Sequence, residues 1–262
     1  MAICEPSVSS SYLESYQEKP LYPGICNPVD AVFDPAGNLW VADKIGRVLE
    51  FKSPFVNGEN ATTVIGQANF TGLSTNVDAA TISNPGGLAF DSSGNLWLSD
   101  QAYHRILEFK RPFTNGMPAS LVIGQPDFIS QSPTGNPTQS SLESPSGITF
   151  DAAGNLWVAD TGFSRVVEFK PPFSNGQDAT LVIGADNFTW SKGERTQSSL
   201  EEPVAIMFDA QGALWVTDAA GGRILKFEPP FSNGEAASVV IGKRDFTQVF
   251  ESAPNFTFLS HP

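Results

Sequence analysis

The strongest constraint on this chain is that one pattern is written four times. The segment from Pro28, PVDAVFDPAGNLWVADKIGRVLEFKSPFVNG, returns in altered form from Pro85, Pro145 and Pro203, and the copies close on TTVIG, SLVIG, TLVIG and SVVIG. The tryptophan at its centre stands at 40, 97, 157 and 215, spacings of 57, 60 and 58 residues. A fixed period of this kind marks an architecture of stacked supersecondary units, in which each unit buries its apolar faces against its neighbours. The copies account for most of the 262 residues. The expected division is a lead-in segment 1–27, repeats 28–84, 85–144 and 145–202, and a fourth repeat with trailing linker, 203–262, all forming one domain.

Within a copy, short apolar runs and turn formers read as strands. In the third copy the expected strands are Gly147 to Phe150, Leu156 to Ala159, Arg165 to Phe169 and Leu181 to Ile183. The turn Asp151-Ala-Ala-Gly-Asn155 separates the first two, with an Asp to cap free amides and a Gly for positive φ. Pro171-Pro-Phe-Ser-Asn-Gly176 separates the last two, where Pro ends the ladder and Asn-Gly reverses the chain. The 23 Gly and 20 Pro are largely this punctuation and leave little room for long helices. A four-stranded antiparallel meander repeated around an axis is a β-propeller blade, and burial on both faces explains why Leu156-Trp-Val-Ala159 is apolar throughout. The fold class expected is all-β.

The run G-[ILA]-x-F-D-x-x-G-N-L-W-[VL]-x-D-x-x-x-x-R-[VI] resembles the NHL repeat, a propeller blade with an apolar first strand, a D-x-x-G-N turn and an aromatic-V-A-D second strand. The match covers about 25 residues of each copy. These repeats depart from the usual blade of roughly 40 to 45 residues by the P-F-x-N-G hairpin and by long linkers such as Gln125 to Ser144. The resemblance implies a propeller that is commonly six-bladed. Because Thr257 to Pro262 align with Thr81 to Pro85, the opening of a further copy, the expectation is an arc of a longer ring rather than four blades closed with the help of residues 1–27. Such an arc would expose apolar faces and favour oligomerisation.

The candidate site residues recur with the repeat. Asp43, Asp100, Asp160 and Asp218 end the second strands, and Arg47, Arg105, Arg165 and Arg223 open the third. A ring of carboxylates could hold Ca²⁺, since hard oxygen ligands suit that ion; the favoured reading is that each Asp bonds its Arg and fixes the loop, because a site used once need not be copied into every blade. Trp40, Trp97, Trp157 and Trp215, with Phe33, Phe90, Phe150 and Phe208, are expected in the core between blades. Phe70, Phe128, Phe188 and Phe246, shortly after V-I-G, either pin the linkers or line a binding face. N-x-[ST] triplets at Asn60, Asn69, Asn187 and Asn255 are candidate glycosylation sites in expected loops.

Catalysis finds little support. Propeller lyases and hydrolases place His, Asp or Glu at the channel mouth, whereas here the two histidines, His104 and His261, cannot supply a two-histidine metal site. No G-x-S-x-G elbow, Walker loop or H-E-x-x-H is present. A formal net charge of −13 opposes nucleic acid and acidic lipid, and pairs such as Glu50 with Lys52, Glu108 with Lys110 and Glu168 with Lys170 read as neutralising surface decoration. No apolar run approaches the roughly 18 residues that span a bilayer. Cys4 and Cys26 either form a disulfide stapling the lead-in segment or remain thiols. The acidic balance and Asn/Thr/Ser-rich loops lean toward an extracellular or envelope protein. The expected function is a non-catalytic scaffold without cofactor, binding a protein or glycan through its linker-bearing face. The competing expectation is a Ca²⁺-type propeller lyase or lactonase.

Overall fold

The computed structural model describes residues 24–131, 135–189 and 195–248. Sixteen strands form four antiparallel sheets, each a meander in sequence order. The first sheet holds β1 (Pro28–Phe33), β2 (Leu39–Asp43), β3 (Arg47–Phe51) and β4 (Thr63–Ile65); the second β5 (Pro85–Phe90), β6 (Leu96–Asp100), β7 (Arg105–Phe109) and β8 (Leu121–Ile123). The third holds β9 (Pro145–Phe150), β10 (Leu156–Asp160), β11 (Arg165–Phe169) and β12 (Leu181–Ile183); the fourth β13 (Pro203–Phe208), β14 (Leu214–Asp218), β15 (Arg223–Phe227) and β16 (Val239–Ile241). Among the described residues there is no helix. The first strands touch in succession, β1 on β5, β5 on β9 and β9 on β13, so consecutive sheets fan out as blades from a common inner edge. This is a β-propeller architecture.

The inner edge is tight. A Cβ on Gly147 would lie 2.7 Å from the Val204 carbonyl oxygen, so β9 and β13 approach at a distance only glycine permits. Each first strand also carries a register shift just after its opening proline, a bulge that bends the chain where the blades converge.

A meander sorts its connections. Turns between first and second strands and hairpins between third and fourth share one face of the fan; second-to-third turns and the interblade linkers share the other. On the first face the turn aspartate does two jobs. Asp151 Oδ1 accepts the Ala153 and Asn155 amides, each at 2.9 Å, while Oδ2 accepts the indole N–H of Trp157 at 3.0 Å. Asp34, Asp91 and Asp209 bond Trp40, Trp97 and Trp215 in the same way. Positive φ falls on the turn glycine, at 83° in Gly154.

The tryptophans join blades. Trp40 packs edge-on against Phe90 and Phe113 of the next blade, with ring centroids 6.0 and 4.7 Å away. Trp97 meets Phe150 and Phe173, and Trp157 meets Phe208 and Phe231, in the same arrangement. The P-F-x-N-G hairpin thus supplies half of an aromatic box for the preceding blade. It also caps that blade's outer edge, the unpaired side of a last strand that would otherwise offer free N–H and C=O groups. Asn115 Oδ1 accepts the Val64 amide at 2.9 Å, Asn175 the Val122 amide at 3.1 Å and Asn233 the Val182 amide at 2.9 Å.

Three expectations need correction. Phe33 is 59% exposed instead of core, because no described blade brings it a tryptophan, and Trp215 is only half-buried for the complementary reason. Glu50, Glu108 and Glu168 are buried, not surface decoration: their carboxylates accept the hydroxyls of Thr62 and Thr63, Ser120 and Thr180 beneath the next blade. Only the lysine ends of the Glu108–Lys110 and Glu168–Lys170 pairs reach solvent.

Candidate functional site

The face of second-to-third turns and linkers is organised by the recurring Asp and Arg. Antiparallel register sets them opposite each other at the end of the second strand and the start of the third. Both side chains are buried in every blade, with Nε to Oδ2 distances of 3.1 Å for Arg47–Asp43, 3.4 Å for Arg105–Asp100, 2.8 Å for Arg165–Asp160 and 2.9 Å for Arg223–Asp218. The other carboxylate oxygen holds the linker entering the blade. Asp43 Oδ1 accepts the Asn27 amide, Asp100 Oδ1 those of Ser83 and Asn84, Asp160 Oδ1 that of Glu143, and Asp218 Oδ1 those of Glu201 and Glu202.

The guanidinium then ties both linkers to one point. Nη1 donates to the carbonyl of the linker phenylalanine leaving the blade, Phe70 at 3.0 Å, Phe128 and Phe188 at 2.7 Å, and Phe246. Nη2 donates to the entering linker at Gly24, Thr81, Ser141 and Ser199. The four phenylalanine rings are half-buried and packed on the blade clusters, so ring and carbonyl pin the same residue. Planar donors in a fixed fork suit Arg to this work and would not suit Lys. Burial pushes Asp160 up to about 6 and raises Asp100, with the neighbouring guanidinium opposing it in each case.

This donor set does not fit a cation ring. Both oxygens of each Asp accept N–H groups, so a metal would have to displace a buried guanidinium. Among the described residues no group of three or more His, Cys, Asp and Glu is placed to hold an ion.

What varies from blade to blade is added to this frame. His104, at φ 53°, occupies the left-handed position before the Arg that Gly46 and Gly222 take elsewhere, and its Nδ1 accepts the Ser144 amide of the next linker at 3.0 Å. Ser164, at φ 55°, bonds the Glu201 carbonyl at 2.7 Å from the equivalent place. Arg195 forks onto Glu201 at 2.6 and 2.8 Å and donates to the Gln248 carbonyl at 2.7 Å. On β1, Asp30 accepts the Leu88 amide at 2.7 Å and is raised by burial. Asp30, Ser164 and Arg195 escaped sequence reasoning; their signal was there as departures from the repeat, Asp30 standing where the other copies have Gly87, Gly147 and Ala205. Between these clips the linkers expose Leu73 and Ile129.

Asn60, Asn69 and Asn187 are exposed. Asn69 and Asn187 each accept both the amide and the hydroxyl of the threonine two residues on, and Asp245 makes the same turn with Thr247. Cys26 is disulfide-bonded, and its amide donates to Asp43 at 3.1 Å. Cys4, Asn255, His261 and the segment 257–262 lie outside the described residues.

No family model matches the chain, and no curated protein matches it. Among solved structures, a catalytically inactive virginiamycin B lyase from Staphylococcus aureus with quinupristin is 15% identical at a TM-score of 0.50, with 82% of this chain and 55% of that chain covered. A protein of unknown function from Bacteroides caccae is 12% identical at a TM-score of 0.49, with 82% and 60% covered. The chain therefore spans little more than half the length of the lyase it resembles. At this identity the likeness is one of fold, and it agrees with the four fanned antiparallel sheets: the chain is an all-β protein of β-propeller architecture.

Proposed function

We propose that this chain is an NHL-like β-propeller acting as a non-catalytic binding scaffold, which presents the face of its linkers and second-to-third turns to a protein or glycan partner. The observation that carries this reading is the fourfold Asp–Arg pair: the strongest polar groups on that face are committed to fixing backbone, so the face is rigid in frame and variable in linker. Exposed Leu73 and Ile129 give it apolar contact points between polar Ser, Thr and Asn residues. Its acidic balance disfavours nucleic acid. A disulfide at Cys26 supports an exported protein, since such bonds persist in oxidising compartments.

The test is metal analysis of the purified protein with thermal melts in EDTA and in added Ca²⁺. No stoichiometric ion and unchanged melts are expected. A bound divalent ion whose removal lowers the melting temperature would overturn the scaffold reading in favour of a metal-dependent lyase or lactonase.

A further inference from the structure

The face of first-to-second turns and third-to-fourth hairpins, opposite to the linker face, holds a cavity of about 340 Å³ where the second and third sheets meet. Buried Glu108 and Leu121 line its inner side, and exposed Ser92, Ser93 and Pro172 its rim, beside the ring of Phe173. Two departures from the repeat open and furnish it. At the junction of the first and second sheets the equivalent space is filled: a Cβ on Gly94 would lie 2.9 Å from Arg111 Nη1. One on Gly154 would meet nothing within 4 Å, and Pro171 stands where the second blade has Arg111. The second departure is in the turn of the second blade. Its two middle residues are Ser92-Ser93, where the other copies have Pro35-Ala36, Ala152-Ala153 and Ala210-Gln211. The third-to-fourth junction is equally open at Gly212, but the turn across from it carries Ala152 and Ala153. Among the three junctions inside the chain, the middle one alone combines the opening with two hydroxyls.

Its polar groups divide into committed and available. Asp91 uses both oxygens inside its own blade, on the Ser93 and Asn95 amides and on the Trp97 indole. Glu108 does not. Its Oε2 accepts the Ser120 hydroxyl at 2.6 Å and lies 3.7 Å from Lys110 Nζ, while Oε1 meets the Asn95 side-chain amide at 3.5 Å, the limit of a hydrogen bond. A buried carboxylate oxygen is thus left with accepting capacity inside the cavity, next to an exposed ammonium that can only donate. The apolar wall is held in place, since the Phe173 ring packs on Trp97 with centroids 4.9 Å apart.

We propose that this cavity binds one neutral sugar ring. Hydroxyls of the sugar donate to Glu108 Oε1 and accept from Lys110 and the two serines, and its C–H face rests on Phe173 and Pro172. Glu108 and Lys110 offset each other's charge, so the site favours neither an anion nor a cation. Donors and acceptors side by side against an apolar wall complement a ring that carries hydroxyls on its edge and C–H bonds on its face. The volume lies near the lower end of the range for ligand pockets, about 300–1,000 Å³, which suits a single ring. The site stands independently of the binding role assigned to the linker face.

Amide NMR of the full chain, titrated with the methyl pyranosides of glucose, galactose, mannose and N-acetylglucosamine at millimolar concentrations, tests this. At least one sugar is expected to shift the amides of Ser92, Ser93, Lys110 and Gly154 saturably, leaving Leu73 and Ile129 on the linker face unmoved. Ser92→Ala with Ser93→Ala, which writes the third blade's turn into the second, is expected to bind several-fold more weakly. Pro171→Arg, which brings in the guanidinium that fills the neighbouring junction, is expected to bind at least tenfold more weakly. No saturable shift from any of the four sugars, equal or larger shifts of the same amides by inorganic phosphate or ethylammonium, or wild-type binding by Pro171→Arg would overturn the proposal. Both variants carry residues that a sibling blade already carries at those positions. Should Pro171→Arg fold poorly, the serine variant decides, and its binding as tightly as wild type overturns the proposal.

Discussion

A buried ion pair is a weak source of net stability, because desolvation offsets the Coulomb gain. What the Asp–Arg pairs contribute is backbone saturation: each carboxylate and guanidinium together satisfies several linker amides and carbonyls that would otherwise be buried unpaired. His104 does similar work with a titratable group. Its Nδ1 accepts the Ser144 amide, which only the neutral ring can do. Burial holds the imidazole below its usual range, against the pull of the Glu143 and Asp100 carboxylates. A folded-state pKa below the unfolded value leaves stability unaffected at high pH and removes it as pH falls through the unfolded pKa of about 6.5, because only the unfolded chain readily takes the proton. His104→Gly, which restores the residue found at 46 and 222, should therefore match or nearly match wild type at pH 8 and exceed it at pH 5 in denaturant unfolding. Parallel pH profiles for the two proteins would show that His104 is not the titrating group.

At the scale of the element, the P-F-x-N-G hairpin is the part whose role changed most. Its Asn-Gly reads in the sequence as a local reversal. In the fold the same Asn also reaches the preceding blade, about 50 residues away in sequence, as in Asn175 to Val122. Removing that acceptor leaves a part-buried amide unpaired, a loss of about 1–3 kcal/mol. Asn175→Ala should accordingly lower unfolding stability, whereas Asn57→Ala, at the exposed first hairpin, should stay within about 0.5 kcal/mol of wild type. Equal losses would mean that the asparagine acts within its own hairpin. The contrast also shows what was legible. Strands Arg165–Phe169 and Leu181–Ile183 could be read directly from local pattern, since apolar runs and turn formers are short-range signals. Pairing of Asp with Arg was readable because both belong to one hairpin. The hairpin's capping of its neighbour, the burial of Glu50 and the exposure of Phe33 depend on which blade lies alongside, and a repeat seen as one consensus hides the difference between a blade with two neighbours and a blade with one.

At the scale of the whole molecule that difference sets the stability profile. The strands β3, β4, β6, β7, β8, β10 and β11 are buried at every position, while β14, β15 and β16 alternate or open to solvent and, in the first sheet, β1 alone is largely exposed. A repeat array gains most of its stability from nearest-neighbour interfaces, so an interior blade must break two to open and an end blade only one. Amide hydrogen exchange of the dilute chain should then run faster in β13–β16 and β1 than in β5–β12, with local opening free energies well below that of the interior sheets. If the four sheets seal their own ends, all four exchange alike, and the gradient expected here is absent.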